Sequence, residues 1–186
     1  MKELLKRLMG HSGFSDSRSM KVILVPHCVP NQNSRAAGAA EFPSAVEPLI
    51  SGLMDRRIGI IQMPCPEMRI AGLRRGNVRN IRAEMEKPEN RAQCARIAQE
   101  VIGLIEDYQE CGITVLGVLG KNGSPTCGVE KTWFDGVAPG SGVFIEQLEL
   151  ELNRRRTSVR LAGVQDSDPL AALKIVDCWM RTASAR

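Results

Sequence analysis

Four short apolar runs separated by helical patterns constrain this chain more than any other feature. They are residues 21–26 (KVILVP), 58–63 (IGIIQM), 113–119 (ITVLGVL) and 159–164 (VRLAGV). Each is β-branched and apolar nearly throughout, as a strand is when a parallel sheet is covered on both faces. Between them, residues 43–56 repeat apolar side chains at Val46, Leu49, Ile50 and Leu53. Residues 89–111 do so at Cys94, Ile97, Val101, Leu104, Ile105 and Tyr108, with Gly112 as a stop. Residues 142–153 carry Phe144, Ile145, Leu148 and Leu152, and residues 168–181 open with Asp168-Pro169, a cap followed by proline at the first helical position. Strand–helix alternation of this kind predicts an α/β fold. The expected architecture is an open, mostly parallel sheet of about four or more strands with helices on both faces, a Rossmann-like three-layer arrangement.

At 186 residues the chain suits one domain, expected over residues 21–186. A domain of this size buries enough surface to fold without a disulfide or a metal. The leading residues 1–20 read as a flexible extension, beginning with a short amphipathic helix over residues 1–10 and continuing Gly/Ser-rich. That helix lacks the apolar core of an export signal, and no stretch reaches the ~18–20 apolar residues of a membrane span. The expected location is the cytoplasm, where thiols stay reduced. A net charge of +4 is too weak to argue for a nucleic-acid partner, and 4% aromatics leave little for base stacking.

The six cysteines therefore need a reason other than disulfides. Cys94, Cys111 and Cys178 fall in or beside helical patterns and read as small buried hydrophobes. Cys28, Cys65 and Cys127 each follow one of the first three strands and are flanked by proline or glycine, which places them on tight loops. Ligands of open α/β sheets bind outside the carboxyl ends of the strands. Three cysteines so placed should converge there.

Their spacings, 37 and then 62 residues, lack the C-x₂-C pairs of zinc ribbons and bacterial ferredoxins. A structural zinc normally takes four protein ligands, and His27 is the one neighbour that would complete a Cys₃His set. A [4Fe–4S] cluster on three cysteines, with its fourth iron open as a Lewis acid, is a second option. Unconnected thiols are the third.

At these same residues the chain resembles a known family. Cys28, Cys65-Pro66-Glu67 and Ser124-Pro125-Thr126-Cys127-Gly128, in this order and spacing, are similar to the 2-thiouracil desulfidases over roughly residues 20–152. The likeness is closest to a subgroup of related desulfidases with an Asn31-Gln32-Asn33-Ser34-Arg35 loop after the first cysteine. It implies a [4Fe–4S] cluster held by Cys28, Cys65 and Cys127, and removal of sulfur from a thiolated small molecule. The segments after Cys28 and after Glu67 differ from the Leu-Leu-Gly and Gly-Leu-Pro-x-Pro-Arg segments of the thiouracil enzymes. The resemblance thus assigns ligands and leaves the substrate open: a thiouracil-like heterocycle or a thionucleotide.

The implied reaction is a non-redox desulfurisation, in which substrate sulfur binds the open iron and leaves as sulfide. Protons must move, and Glu67 is the candidate acid–base group; its structural alternative is an ion pair with Arg69 or Arg74. Ser124 is a candidate donor to substrate or cluster sulfur, or else a turn serine before proline. Asn31, Asn33 and Asn122 are candidates for the polar edge of the substrate. Arg74, Arg75, Arg79 and Arg82 read as a solvated basic face or as a rim recruiting an anionic substrate, and Arg154-Arg155-Arg156 as a second solvated face. Two other functions stay open: a zinc- or cluster-binding module without turnover, and a sulfur carrier for a tRNA-modifying partner.

Overall fold

The computed structural model describes residues 16–75 and 80–183. Most of the expected extension, including the amphipathic segment of residues 1–10, lies outside the described residues, as does Arg79.

All four expected strands form: β1 (Lys21–Val25), β2 (Gly59–Gln62), β3 (Thr114–Lys121) and, after two others, β6 (Leu161–Val164). They make one sheet in the order β2-β1-β3-β6 with every pair parallel. Helices α1 (Glu47–Asp55) and α6 (Pro169–Ala183) cover one face, and α4 (Pro88–Glu110) and α5 (Val143–Arg155) the other. The period-two alternation of strands divides β1 between the layers. Ile23 and Val25 pack towards α1 and α6, while Leu24 packs towards α4 and α5. The three-layer α/β architecture is therefore the one observed.

Local chemistry sets the boundaries. Helix α4 stops where Gly112 turns left-handed at φ 75°. There the N–H groups of Gly112 and Ile113 reach back to the carbonyls of Gln109 and Tyr108, a Schellman closure. Strand β3 carries a bulge: Val22 faces Val115 but Leu24 faces Val118. The bulge brings Leu116 and Leu119 to the same side and leaves Gly117 beneath Trp179 of α6, where a Cβ would lie 2.2 Å from the ring.

The sequence patterns had not indicated helices α2 (Pro66–Ala71) and α3 (Ile81–Glu86), nor the antiparallel hairpin β4 (Lys131–Trp133) and β5 (Val137–Pro139). Six residues make under two helical turns, and three residues give a strand almost no period to read. Among the described residues no helix is long and apolar enough to cross a membrane.

Candidate functional site

From β1 the chain steps to β2 on one side, then crosses to β3 on the other, so the strand order reverses between β1 and β3. The carboxyl ends at such a reversal diverge and leave a crevice. Cys28 hangs from the end of β1, Cys65 from β2 and Cys127 from β3. All three line one cavity of about 240 Å³, together with Glu67, Ser124, Arg35, Arg75, Lys121 and Trp133.

Each loop is held by its own backbone. After β1, the Val29 N–H closes a turn on the Pro26 carbonyl, and buried Gln32 donates its side-chain amide to the Cys28 carbonyl at 2.8 Å. After β2, Met63 N–H bonds the Val25 carbonyl, and Cys65 then sits at the N-cap of α2 with Pro66 at the first helical position. After β3, the Ser124 hydroxyl oxygen accepts the N–H groups of Cys127 at 2.9 Å and Thr126 at 3.2 Å. The carbonyls of Pro125 and Thr126 receive the first N–H groups of α5, so the Cys127 loop also caps that helix.

Burial pushes the Cys28 thiol up to about 11. Burial raises Cys65 as well, opposed by N–H groups of Met68 and Glu67 that favour its thiolate. Cys127 is raised well above the usual thiol range by burial first, then by the neighbouring Cys65, Glu67 and Cys28. The three thiols thus sense one another. A metal group binding them must displace their protons, so its uptake releases protons.

The cations around these thiols correct the expectation of a solvated basic face. Arg75 is 5% exposed and Arg82 8%. Arg75 lines the cavity: its guanidinium donates to Glu67 at 3.1 Å and to the Ser34 carbonyl at 2.9 Å, and lies 3.8 Å from Cys65 Sγ. The partner of Glu67 is therefore Arg75 and neither Arg69, which pairs with Glu100, nor exposed Arg74. Arg82 is spent between Glu86, Glu146 and the Ser141 carbonyl. Arg35 and Lys121 line the same cavity, both paired with buried Asp166 beyond β6. Nothing in the residue pattern marked Arg35, Lys121 and Asp166 as a unit, because their union depends on the strand order.

Other candidates fall away from the cavity. Asn31 precedes a 3-10 turn over Gln32–Ser34, Asn33 is exposed, and neither lines the cavity. Asn122 serves the turn instead: its side-chain oxygen accepts the N–H groups of Val129, Glu130 and Lys131, and its amide donates to Glu130. His27 does not line the cavity. Cys94 is fully buried in the α4 layer as expected, whereas Cys111 and Cys178 are exposed, a correction to their reading as buried hydrophobes. Cys111 caps α4 beside the Gly112 turn, and Cys178 lies on the outer side of α6. Arg154 and Arg155 pair with Glu151, and Arg155 also with Glu106.

Among the described residues no group of three or more His, Cys, Asp or Glu side chains is arranged to hold a single metal ion. A zinc site would need its sulfurs about 2.3 Å from one point. An iron–sulfur cluster instead takes its cysteines around an extended body. Three soft sulfur donors line one cavity, N–H groups of Met68 and Glu67 favour the thiolate of Cys65, and the cavity's cations Arg35, Lys121 and Arg75 are already paired with Asp166 and Glu67.

No known family model matches the chain, and no solved structure does. Among curated proteins it is similar to the uncharacterised protein MJ0003 of Methanocaldococcus jannaschii, at 26% identity over 114 residues. The match covers 61% of this chain and 71% of that protein.

Proposed function

We propose that this protein is a desulfidase, which exchanges the sulfur of a thiolated small molecule for the oxygen of water. Cys28, Cys65 and Cys127 would hold a [4Fe–4S] cluster. The observation that carries this reading is their presence, from three separate loops, around one cavity at the strand-order reversal. The resemblance of the three segments to 2-thiouracil desulfidases points the same way. A reducing compartment such as the cytoplasm suits free thiols of this kind.

When bound, the cluster supplies a Lewis-acidic iron for the substrate's sulfur. The remaining work falls to the chain's own groups. Thiocarbonyl and water become carbonyl and hydrogen sulfide, so no electrons are exchanged, but protons must pass from water to the departing sulfur. Glu67 lines the cavity from the first turn of α2, with one carboxylate oxygen held by Arg75 and the other left to take a proton from water. The Ser124 oxygen already accepts two backbone N–H groups, which leaves its own O–H to donate into the cavity. Thr126 and Cys127 thereby fix the orientation of that hydroxyl.

The test is an anaerobic reconstitution with iron and sulfide, followed by measurement of sulfide and of the oxo product from a panel of thio-heterocycles. The account expects a brown protein that releases sulfide in proportion to oxo product. Glu67→Gln should keep its iron and lose about 10²–10⁴-fold in kcat. A brown protein that turns over no thio-heterocycle would reduce the proposal to a binding module, and a colourless protein that retains zinc would reject it.

A further inference from the structure

The hairpin β4–β5 contributes Trp133 to the cavity wall, the wall's one aromatic ring among the described residues. Strand alternation on β4 buries Thr132 completely and turns Lys131 and Trp133 outward. Thr132 fastens the hairpin to the Cys127 loop: its hydroxyl donates to the Ser124 carbonyl at 3.1 Å and accepts from Arg82 at 3.3 Å. The Gly123 N–H adds a bond to the Lys131 carbonyl at 2.9 Å, and the Arg82 guanidinium lies 4.8 Å from the centre of the Phe134 ring. The hairpin is therefore anchored through Thr132, the Lys131 backbone and Phe134. Trp133 remains 47% exposed, with only the exposed Val137 opposite it on β5. An indole that the fold leaves half exposed on an anchored hairpin, set at the edge of a cavity of thiols and cations, offers a flat and polarisable surface.

We propose that Trp133 is the specificity-determining residue of this site: the substrate ring stacks on its indole, so flat conjugated thio-rings are accepted and puckered, saturated thiolactams are refused. The proposal rests on the desulfidase reading. Stacking of a ring on an aromatic side chain is tolerant of ring substituents but not of lost planarity, because only a flat π-face gives full contact.

The test compares reconstituted wild type, Trp133→Phe and Trp133→Ala on 2-thiouracil and on 2-piperidinethione, a saturated ring bearing the same thioamide. Iron content is measured for each to show that the site is intact. Wild type should prefer the flat ring. Trp133→Ala should raise KM for 2-thiouracil about 10- to 100-fold with kcat within a few fold, while Trp133→Phe keeps most of the affinity. The preference over the saturated ring should disappear in Trp133→Ala. In parallel, 2-thiouracil should quench the emission of half-exposed Trp133 but leave that of buried Trp179, the signal that remains in Trp133→Phe. An unchanged KM in Trp133→Ala with sulfide still released would overturn the stacking role and leave the desulfidase reading standing. Quenching without sulfide from any substrate would uphold the wall and reject the chemistry.

Discussion

Arg75 adopts a left-handed backbone at φ 56°, and its guanidinium serves Glu67 and the carbonyls of Ser34, Gly72 and Leu73 at once. Arg75→Met would leave a largely buried carboxylate and several carbonyls without their donor, which should cost about 2–3 kcal/mol in urea unfolding of the metal-free protein. Arg75→Lys should recover only part of this, since an ammonium cannot reproduce the fork that reaches acceptors on both sides. The sequence could not mark this residue. Charged side chains are rarely buried, and Arg75 donates to the carbonyl of Ser34, which only the fold brings near. The cysteines divide along similar lines. Their proline and glycine neighbours betrayed Cys28, Cys65 and Cys127 as loop residues, but the apolar company of Cys178 in sequence concealed its outward position. In the native metal-free protein, iodoacetamide should therefore modify Cys111 and Cys178 well before Cys94, as read by peptide mass mapping.

The loop carrying Cys127 depends on glycines that let backbones approach. A Cβ at Gly142 would come within 2.4 Å of the Thr126 carbonyl, although the Gly142 backbone (φ −77°, ψ 156°) suits any residue. Gly142→Ala should therefore act by steric displacement of the Cys127 loop from the start of α5. The expected outcome is a protein that keeps its sheet and helices by circular dichroism but loses most of its capacity to retain iron. Full iron retention in Gly142→Ala would contradict the idea that this helix start positions the ligand. At this scale the four sheet strands and four long helices were legible, because each is long enough for a period to show. The hairpin that supplies Trp133, and α2 with Cys65 at its cap, are too short for periodicity; what signals them is local chemistry, such as proline after the cap.

Across the whole molecule, ion pairs clasp both helical layers. On one face Arg154 foremost, with Arg155, holds the Glu151 carboxyl down to about 2, and Arg155 links α5 to Glu106 of α4. On the other, Arg56 beyond α1 holds Asp177 of α6 below its usual range. Both carboxyls titrate lower in the folded protein than in the unfolded chain. Their stabilisation is complete above pH ~5 and disappears as acid protonates them, between pH ~5 and ~2 for Glu151. The melting temperature should fall over that interval, and Glu151→Gln together with Asp177→Asn should flatten the fall modestly, as suits pairs near the surface. The strand order also explains why the site was only half legible. Three loop cysteines after successive strands implied convergence, whereas the pairing of Arg35 and Lys121 on Asp166 follows from β6 lying beside β3. The central claim is that Cys28, Cys65 and Cys127 act as one ligand set, and iron per chain after anaerobic reconstitution measures it most directly. The account predicts about four irons in the wild type and in Cys94→Ala, and almost none in Cys28→Ala, Cys65→Ala or Cys127→Ala. Iron retained undiminished in any of those three variants, or lost in Cys94→Ala, would contradict it.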